Sequence, residues 1–262
     1  METSQKKLSK LKDIVKNLGS AIVAFSGGVD SSFLAKVCYD VLGGKCFAVT
    51  AVSETYPQED LKSAKRIAKL VGIKHVIIRT NEMKNKKFSS NPKDRCYYCK
   101  SELFSELRKL ANKMKIKNIV DGTNADDLKD FRPGLKAKEE FGVASPLCLA
   151  GLEKSEIRML SKDMRLPTHD KPSSPCLASR IPYNSEINLQ KIISIEEAES
   201  AIRNLGYKTV RVRHHGDIAR IEIGDKNIDL KKLKAVSKRI KKSGFKYVAL
   251  DLDGYRTGSL NE

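Results

Sequence analysis

Residues 21–32 read Ala-Ile-Val-Ala-Phe-Ser-Gly-Gly-Val-Asp-Ser-Ser and join a short apolar run to the beginning of a helical pattern. The continuous apolar run over 21–25 is typical of a strand buried on both faces of a parallel sheet. The two glycines let the backbone turn sharply and approach a ligand closely. The amide groups of such a loop, together with the amino terminus of the next helix, favour an anion. The stretch therefore predicts a phosphate-binding loop.

Hydroxyl and carboxylate side chains complete this loop, and Asp30 stands in the first helical turn, where its carboxylate could hold Mg²⁺ between phosphates. The candidate nucleotide-binding residues are Ser26, Gly27, Gly28, Asp30, Ser31 and Ser32. A glycine turn with a serine or aspartate helix cap is the simpler alternative, but the complete string after a buried strand favours phosphate binding. The sequence contains neither the Walker A pattern G-x-x-x-x-G-K-[ST] nor the dinucleotide-binding pattern G-x-G-x-x-G. These two other kinds of nucleotide-binding loop are therefore excluded.

Outward from the loop, apolar strands alternate with amphipathic helices. Helical spacing predicts helices over 3–18, 29–42, 57–71, 97–115 and 153–164. Apolar runs predict strands over 21–25, 46–49, 75–78 and 116–120. This order predicts an α/β fold with a doubly wound parallel sheet, whose ligands bind at the carboxyl ends of the strands. The polar, lysine-rich stretch 80–95 is predicted to be a long surface loop.

A different pattern follows the proline-rich stretch 166–187. It predicts a helix over 188–205, strands over 208–213 and 218–223, a helix over 229–242 and a strand over 246–250. The segment His214-His215-Gly216-Asp217 is expected to be the turn between the first two of these strands. We therefore predict a nucleotide-binding domain over 1–165, a linker over 166–187 and a smaller α+β domain over 188–262.

Composition and charge narrow the classes of function. The 262 residues carry 50 Lys and Arg against 32 Asp and Glu, a net charge of +18. Such a charge favours nucleotides, phosphorylated metabolites or RNA, although a solvated lysine-rich surface explains it equally well. No stretch approaches the roughly 18 apolar residues of a membrane span, and the first residues lack the apolar core of a signal peptide. We expect a cytoplasmic protein.

The six cysteines fall into two groups. Three lie in apolar patterns and are predicted to be buried: Cys38, Cys46 and Cys148. The other three are candidate ligands: Cys96 and Cys99 in a C-x-x-C sequence at a helix start, and Cys176 among prolines. Three interpretations stay open: a redox pair, a structural zinc site, and a [4Fe–4S] cluster with one iron that lacks a protein ligand.

Further candidates follow the fourth strand and lie in the second half of the chain. Gly122 and Thr123 are expected at the same sheet edge as the phosphate loop, and Asp126 and Asp127 could bind a metal or cap a helix. Three arginines could anchor a carboxylate or phosphate, because the guanidinium fork binds both bidentately. They are Arg180, Arg211 and Arg213. Solvent-facing arginines are the simpler alternative.

Taken together, five motifs resemble the ATP-dependent sulfur transferases of the LarE type, within the PP-loop or adenine-nucleotide α-hydrolase-like superfamily. The motifs are AFSGGVDS at 24–31, RCYYCK at 95–100, DGTNADD at 121–127, PCLASR at 175–180 and VRVRHH at 210–215. The resemblance covers nearly the whole chain. The first motif is shared by many families of the superfamily, whereas the others in combination are specific.

The resemblance implies an enzyme that cleaves ATP to AMP and pyrophosphate while it adenylates carboxylates of a pyridinium-3,5-dicarboxylate mononucleotide. Sulfur then replaces the adenylate, and the thiocarboxylate product enters synthesis of a nickel-pincer nucleotide cofactor. One branch of the family sacrifices the sulfur of a single cysteine at the position of Cys176 and leaves dehydroalanine. The other branch has three cysteines and uses an iron–sulfur cluster. This chain resembles that branch, because it carries Cys96 and Cys99 beside Cys176.

The implied cofactors are ATP, Mg²⁺ and a [4Fe–4S] cluster, and the implied partners are a small nucleotide substrate, a sulfide donor and copies of the chain in a trimer or hexamer. The cluster ligands and catalytic residues would be Cys96, Cys99 and Cys176, with Asp30 at the nucleotide. Substrate contacts are assigned to Lys100, Arg180, Arg211 and Arg213, and weaker metal ligation to Glu199 and Glu222. The alternative substrate is tRNA, which related enzymes thiolate.

Overall fold

The computed structural model describes residues 3–129 and 133–256. Two compact units are present, the first formed by Met1–Glu82 with Cys96–Ser174 and the second by Met83–Arg95 with Pro175–Glu262. Residues 83–95 thus group with the carboxyl-terminal part of the chain, and the stretch 166–187 is shared between the units. The sequence predicted instead two continuous domains and a linker.

A four-stranded parallel sheet of order β3-β2-β1-β4 forms the centre of the first unit. Its strands are β1 (Ala21–Ala24), β2 (Cys46–Val52), β3 (Lys74–Arg79) and β4 (Asn118–Val120). The first five helices of the chain are α1 (Ser4–Leu18), α2 (Val29–Leu42), α3 (Gln58–Val71), α4 (Lys86–Ser89) and α5 (Arg95–Lys113). Three more follow before the end of the first unit: α6 (Gly134–Glu140), α7 (Pro146–Leu149) and α8 (Lys154–Asp163).

Apolar cores cover both faces of this sheet, because its strands are apolar at successive positions. Val23 belongs to a core with residues of α1, α2, α3 and α8, whereas its neighbour Ile22 belongs to a core with residues of α5. The predicted doubly wound α/β fold is therefore confirmed. The strand order reverses between β1 and β4, and ligands bind at such a point, beyond the carboxyl ends of the strands.

The second unit contains a three-stranded sheet of order β5-β6-β7, as expected for a small α+β domain. Strands β5 (Val210–His215) and β6 (Ile218–Ile223) are antiparallel, and β7 (Tyr247–Leu250) pairs parallel to β6. Helices α9 (Leu189–Arg203) and α10 (Leu230–Lys242) complete the unit. The lysines of α10 are exposed.

Two local predictions were wrong, and two short helices were not predicted. The stretch 80–95 is not a surface loop, since it contains α4 and buries Phe88 and Asn91. The amide of Asn91 donates to three backbone carbonyls of the second unit, at 2.7–3.2 Å, which fixes the segment. His214 and His215 lie in strand β5 instead of in a turn, and helices α6 and α7 were not predicted.

No helix in residues 3–129 and 133–256 is long and apolar enough to cross a membrane.

The phosphate loop requires glycine at position 27. Gly27 has a φ of +67°, and a Cβ there would lie 2.8 Å from Cα of Ala64 in α3. We expect Gly27→Ala to lower the free energy of unfolding by about 2–4 kcal/mol, because left-handed strain and overpacking add. Urea unfolding of the purified protein measures this change.

Gly28→Ala is the matched control for Gly27→Ala. Its φ is −81°, and a Cβ there would meet only Oγ of Ser26, at 3.4 Å. We expect a change within about 1 kcal/mol, as for other unstrained substitutions. Equal losses of stability in the two variants would contradict the assigned conformation of the loop.

Candidate functional site

Serine hydroxyls hold the phosphate loop in shape. Oγ of Ser31 accepts from the amide of Ser26 at 3.2 Å and donates to the carbonyl of Gly28 at 3.3 Å. The hydroxyl of Tyr56 donates to the carbonyl of Ser26 at 2.8 Å. Ser32 is buried, and its hydroxyl has no hydrogen-bond partner among the described residues. These bonds orient the loop at the amino terminus of α2 before any ligand binds.

The amino terminus of α2 is suited to an anion. The residue before the helix is Gly28, which provides no side-chain cap for the first amide groups. Gly122 follows β4, and a Cβ there would lie 3.0 Å from the amide nitrogen of Ser31. The missing side chain thus keeps space beside that amide. The hydroxyl of Thr123 donates to Asp121 at 2.7 Å and braces the loop that contains Gly122.

Asp30 is bound by two side chains of the first unit. Its Oδ1 accepts from the amide of Asn124 at 3.3 Å, and its Oδ2 forms an ion pair with the ammonium group of Lys154. Both carboxylate oxygens therefore have partners. Asp30 has the right chemistry for Mg²⁺, and a metal there would meet the positive charge of Lys154.

A second lysine contacts the phosphate loop directly. Nζ of Lys171 donates to the carbonyl of Gly27 at 3.1 Å and forms an ion pair with Asp60 of α3 at 3.0 Å. Arg158 of α8 donates to the carbonyl of Lys171 at 2.9 Å and so fixes that backbone. No sequence pattern pointed to Lys154, Lys171 or Tyr56, because each is distant from the loop along the chain and lies outside a glycine-rich motif.

The acidic residues after β4 brace the loop. Oδ2 of Asp127 accepts from the amide of Asn124 at 3.0 Å, and Oδ2 of Asp126 accepts from the amide of Lys154 at 2.9 Å. Asp126 thereby caps the first turn of α8. Of the two roles that the sequence left open, this contact supports helix capping.

The candidate ligand cysteines retain accessible surface. Cys96 is exposed and Cys99 is half-buried near the start of α5, on one face because they are three residues apart. Cys176 belongs to the second unit, is half-buried, and directly precedes the helical turn Leu177–Arg180. Three thiol groups suit an iron–sulfur cluster. Within the described residues, no group of three or more His, Cys, Asp or Glu forms a ready metal site.

The remaining cysteines differ from these. Cys38 and Cys46 are buried, as predicted, and burial raises the pKa of the Cys38 thiol and raises that of Cys46 to about 11. Both are therefore unreactive core residues. Cys148 was predicted to be buried but is half-exposed, because α7 has a single turn with Leu147 inside and Leu149 outside.

Arg180 holds the backbone around Cys176. Its guanidinium group donates to the carbonyls of Pro175 at 2.6 Å and Cys176 at 3.0 Å. On its other side it pairs with Glu199 at 2.8 and 3.1 Å, and both side chains are fully buried. Arg203 also pairs with Glu199. The suggestion of a solvent-facing arginine is wrong here, and substrate binding by Arg180 stays a prediction.

Arg211 and Arg213 are also buried, not solvent-facing. Arg213 donates to Glu222 at 2.8 Å and to the carbonyl of Ser179 at 3.0 Å. Cζ of Arg211 lies 5.2 Å from the ring centre of Tyr255. Burial, and to a smaller extent the positive charge of the nearby Arg180, lowers the pKa of the Arg211 guanidinium group. The weak metal candidates Glu199 and Glu222 are thus occupied by arginines in this structure.

Lys100 lies one residue after Cys99 on α5. Its ammonium group is 5.4 Å from the ring centre of Phe104, a favourable cation–π contact. Gly134 of α6 approaches the same side chain, since a Cβ there would lie 3.0 Å from Cγ of Lys100. The substrate contact assigned to Lys100 stays a prediction.

The ion pair of Arg180 and Glu199 supports a stability prediction. We expect Glu199→Gln to lower the free energy of unfolding by about 3–5 kcal/mol, because Arg180 would remain buried without its counter-charge. Burial alone would raise the pKa of Glu199, but Arg180 and Arg203 lower it below its ordinary value. The stabilisation is therefore present above about pH 4.3 and is lost as pH falls through the lowered pKa.

Urea unfolding between pH 7 and pH 3 measures this difference between Glu199→Gln and the parent protein. The control is Glu197→Gln, an exposed carboxylate on the same helix, which we expect to change stability by less than about 0.5 kcal/mol. A Glu199→Gln variant as stable as its control at pH 7 would contradict the assigned ion pair.

Comparison with known proteins agrees with this geometry. The family model for NAD synthase matches residues 4–179, which include the phosphate loop and the parallel sheet. Uncharacterized protein slr1717 of Synechocystis is 43% identical over 98% of this chain and 97% of its own length. Uncharacterized protein MJ0830 of Methanocaldococcus jannaschii is 34% identical over 96% of this chain and 98% of its own length.

A relative of named activity matches along the whole chain. It is the pyridinium-3,5-bisthiocarboxylic acid mononucleotide synthase of Lactiplantibacillus plantarum, which is 35% identical over 100% of this chain and 96% of its own length. The match extends through both units, whereas the family model ends at residue 179. The chain therefore belongs to the LarE-type family of ATP-dependent sulfurtransferases, within the PP-loop superfamily.

Proposed function

We propose that this enzyme converts carboxylates of a pyridinium-3,5-dicarboxylate mononucleotide into thiocarboxylates, in the synthesis of a nickel-pincer nucleotide cofactor. The observation that carries the proposal is the phosphate loop at the point where the strand order reverses, in a chain that also has three accessible cysteines. The full-length similarity to a synthase of the bisthiocarboxylic acid mononucleotide supports this choice of substrate.

The first half-reaction uses the loop. A substrate carboxylate oxygen attacks the α-phosphorus of ATP, the bond to the β-phosphate breaks, and pyrophosphate leaves. The amide groups at the start of α2, beside Gly122, are oriented to bind phosphate oxygens and so to lower the cost of the charge that develops on them. Asp30 is the residue that would hold Mg²⁺, whose charge neutralises the phosphates.

The second half-reaction consumes sulfide. Sulfide attacks the acyl carbon of the adenylate, the carbon–oxygen bond to AMP breaks, and a thiocarboxylate remains. Cys96, Cys99 and Cys176 would hold a [4Fe–4S] cluster, which when bound supplies sulfide at its open iron. Arg180 restrains the backbone at Cys176 through two carbonyl contacts, and this would keep the third ligand in place. Two successive cycles on one substrate give the bisthiocarboxylate.

A second mode of sulfur delivery uses Cys176 alone. In that mode the sulfur of Cys176 attacks the acyl carbon and the carbon–oxygen bond to AMP breaks. The Cα proton of residue 176 is then lost to a base as the Cβ–S bond breaks, which leaves the thiocarboxylate and a dehydroalanine. The half-buried position of Cys176 allows either mode. The pair Cys96 and Cys99 favours the cluster, because a sacrificial donor has no use for two further accessible thiols.

A tRNA substrate is the second candidate function. The net charge of +18 and the exposed lysines on α10 favour a polyanion. Binding to tRNA that weakens steeply with salt, together with sulfur incorporation into a tRNA base, would identify this activity. The match along both units to a mononucleotide synthase favours the small substrate.

Cysteine substitutions test the cluster. In anaerobically purified protein we expect about four irons with acid-labile sulfide. We expect Cys96→Ser, Cys99→Ser and Cys176→Ser each to lose the cluster and multiple-turnover sulfur transfer, while ATP still binds at the separate loop. Cys148→Ser is the control, because it removes a half-exposed thiol of α7 that has no assigned role.

Multiple turnover by the Cys96→Ser variant would overturn the cluster mechanism. Protein without iron after anaerobic reconstitution, with dehydroalanine at position 176 after one turnover, would identify Cys176 as a sacrificial donor. Mass spectrometry distinguishes these outcomes, since loss of H₂S from cysteine lowers the mass of the peptide that contains residue 176.

A further inference from the structure

The carboxylate that the phosphate loop offers to a metal is already bound by a cation of the protein. Oδ2 of Asp30 is paired with the ammonium group of Lys154, and Oδ1 accepts from Asn124 at 3.3 Å. Asp30 and Lys154 are 124 residues apart in sequence, so the pair is made by the fold of the first unit. A local helix pairing cannot account for it.

Lys154 is anchored so that its side chain stays near the loop. It is the first residue of α8, and its own amide donates to Asp126 at 2.9 Å. Oδ1 of Asn124 accepts from the amides of Asp126 and Asp127 at 3.0 and 3.2 Å. The residues that bind Asp30 therefore form one network at the end of β4. The backbone of Lys154 is fixed by this network, whereas its side chain keeps its rotatable bonds.

The pair is accessible enough to exchange partners. The side chain of Lys154 is 36% exposed and that of Asp30 is 21% exposed. A partly exposed ion pair contributes less to stability than a fully buried one, so its separation costs less. A buried pair such as that of Arg180 and Glu199 would resist the same exchange.

Electrostatics makes the exchange depend on nucleotide. Mg²⁺ that binds Asp30 without nucleotide places a divalent cation beside the ammonium group of Lys154, with no new anion to balance the added charge. Nucleotide that binds without metal draws Lys154 to a phosphate and leaves the Asp30 carboxylate beside the same phosphates. When both bind, Mg²⁺ takes the carboxylate, a phosphate oxygen takes the ammonium group, and every charge has a partner.

We propose that Lys154 is a positioning residue that occupies the Asp30 carboxylate while nucleotide is absent and moves to a phosphate oxygen when metal and ATP bind together. The inference rests on the magnesium role of Asp30 in the proposed function. Its consequence is a coupling free energy between metal and nucleotide, so that each binds weakly alone and strengthens the other.

Metal binding measured without turnover tests this proposal. The probe is Mn²⁺, whose free concentration is followed by electron paramagnetic resonance, with and without α,β-methylene ATP, which cannot be cleaved at the reacting bond. In the parent protein we expect the nucleotide to strengthen Mn²⁺ binding by at least about tenfold. In Lys154→Met we expect Mn²⁺ to bind the nucleotide-free protein about five- to tenfold more tightly, and the strengthening by nucleotide to shrink correspondingly.

Two controls separate this effect from loss of charge or of structure. Lys154→Arg keeps a cation at Asp30 and should leave nucleotide-free Mn²⁺ affinity low. Lys7→Met removes another lysine that pairs with α8, where its ammonium group lies 2.8 Å from the carboxylate of Glu156. This variant should leave Mn²⁺ binding unchanged. Thermal unfolding of each variant shows whether it is folded.

Unchanged Mn²⁺ affinity in folded Lys154→Met would overturn the role of Lys154. Asp30→Asn tests the underlying assignment separately. If this variant retains nucleotide-dependent Mn²⁺ binding, then Asp30 is not the metal ligand and that part of the proposed function fails. If it loses the binding while Lys154→Met behaves as the parent, only the further inference fails.

Discussion

The direct contact between the phosphate loop and helix α3 is the constraint on which the nucleotide-binding end of the first unit depends. Gly27 approaches Ala64 so closely that no side chain fits between them. Lys171 reinforces the same contact, since it bonds both to the carbonyl of Gly27 and to Asp60 of α3. The loop is therefore held in a preformed shape, and the binding energy of the nucleotide need not be used to order it.

The elements that the sequence predicted well are those set by local patterns. Strand β1 and helix α2 were predicted because a fully buried strand is apolar at every position and an amphipathic helix repeats every 3.6 residues. The phosphate loop follows from the residue types between them. Each of these features depends on a dozen neighbouring residues, so the sequence alone carries the information.

The features that were missed depend on contacts between distant residues. Asn91 was assigned to a surface loop because its polar neighbours concealed three carbonyl acceptors about 90 residues further along the chain. The burial of Arg180 follows from Glu199 on a different element. Lys154 reaches Asp30 only after helices α2 and α8 have packed together within the first unit. A high net charge also gave no sign that the arginines nearest Cys176 would be enclosed and paired.

The division of the chain has a consequence for the order in which the protein forms during synthesis. Residues 83–95 leave the ribosome early, yet Asn91 bonds to the carbonyls of Ile181, Pro182 and Ser185, which appear far later. The whole length of Cys96–Ser174 emerges in between. The nascent chain must therefore hold this segment without its final partners until the carboxyl-terminal unit is made, and a chaperone has an opportunity to bind there in the meantime.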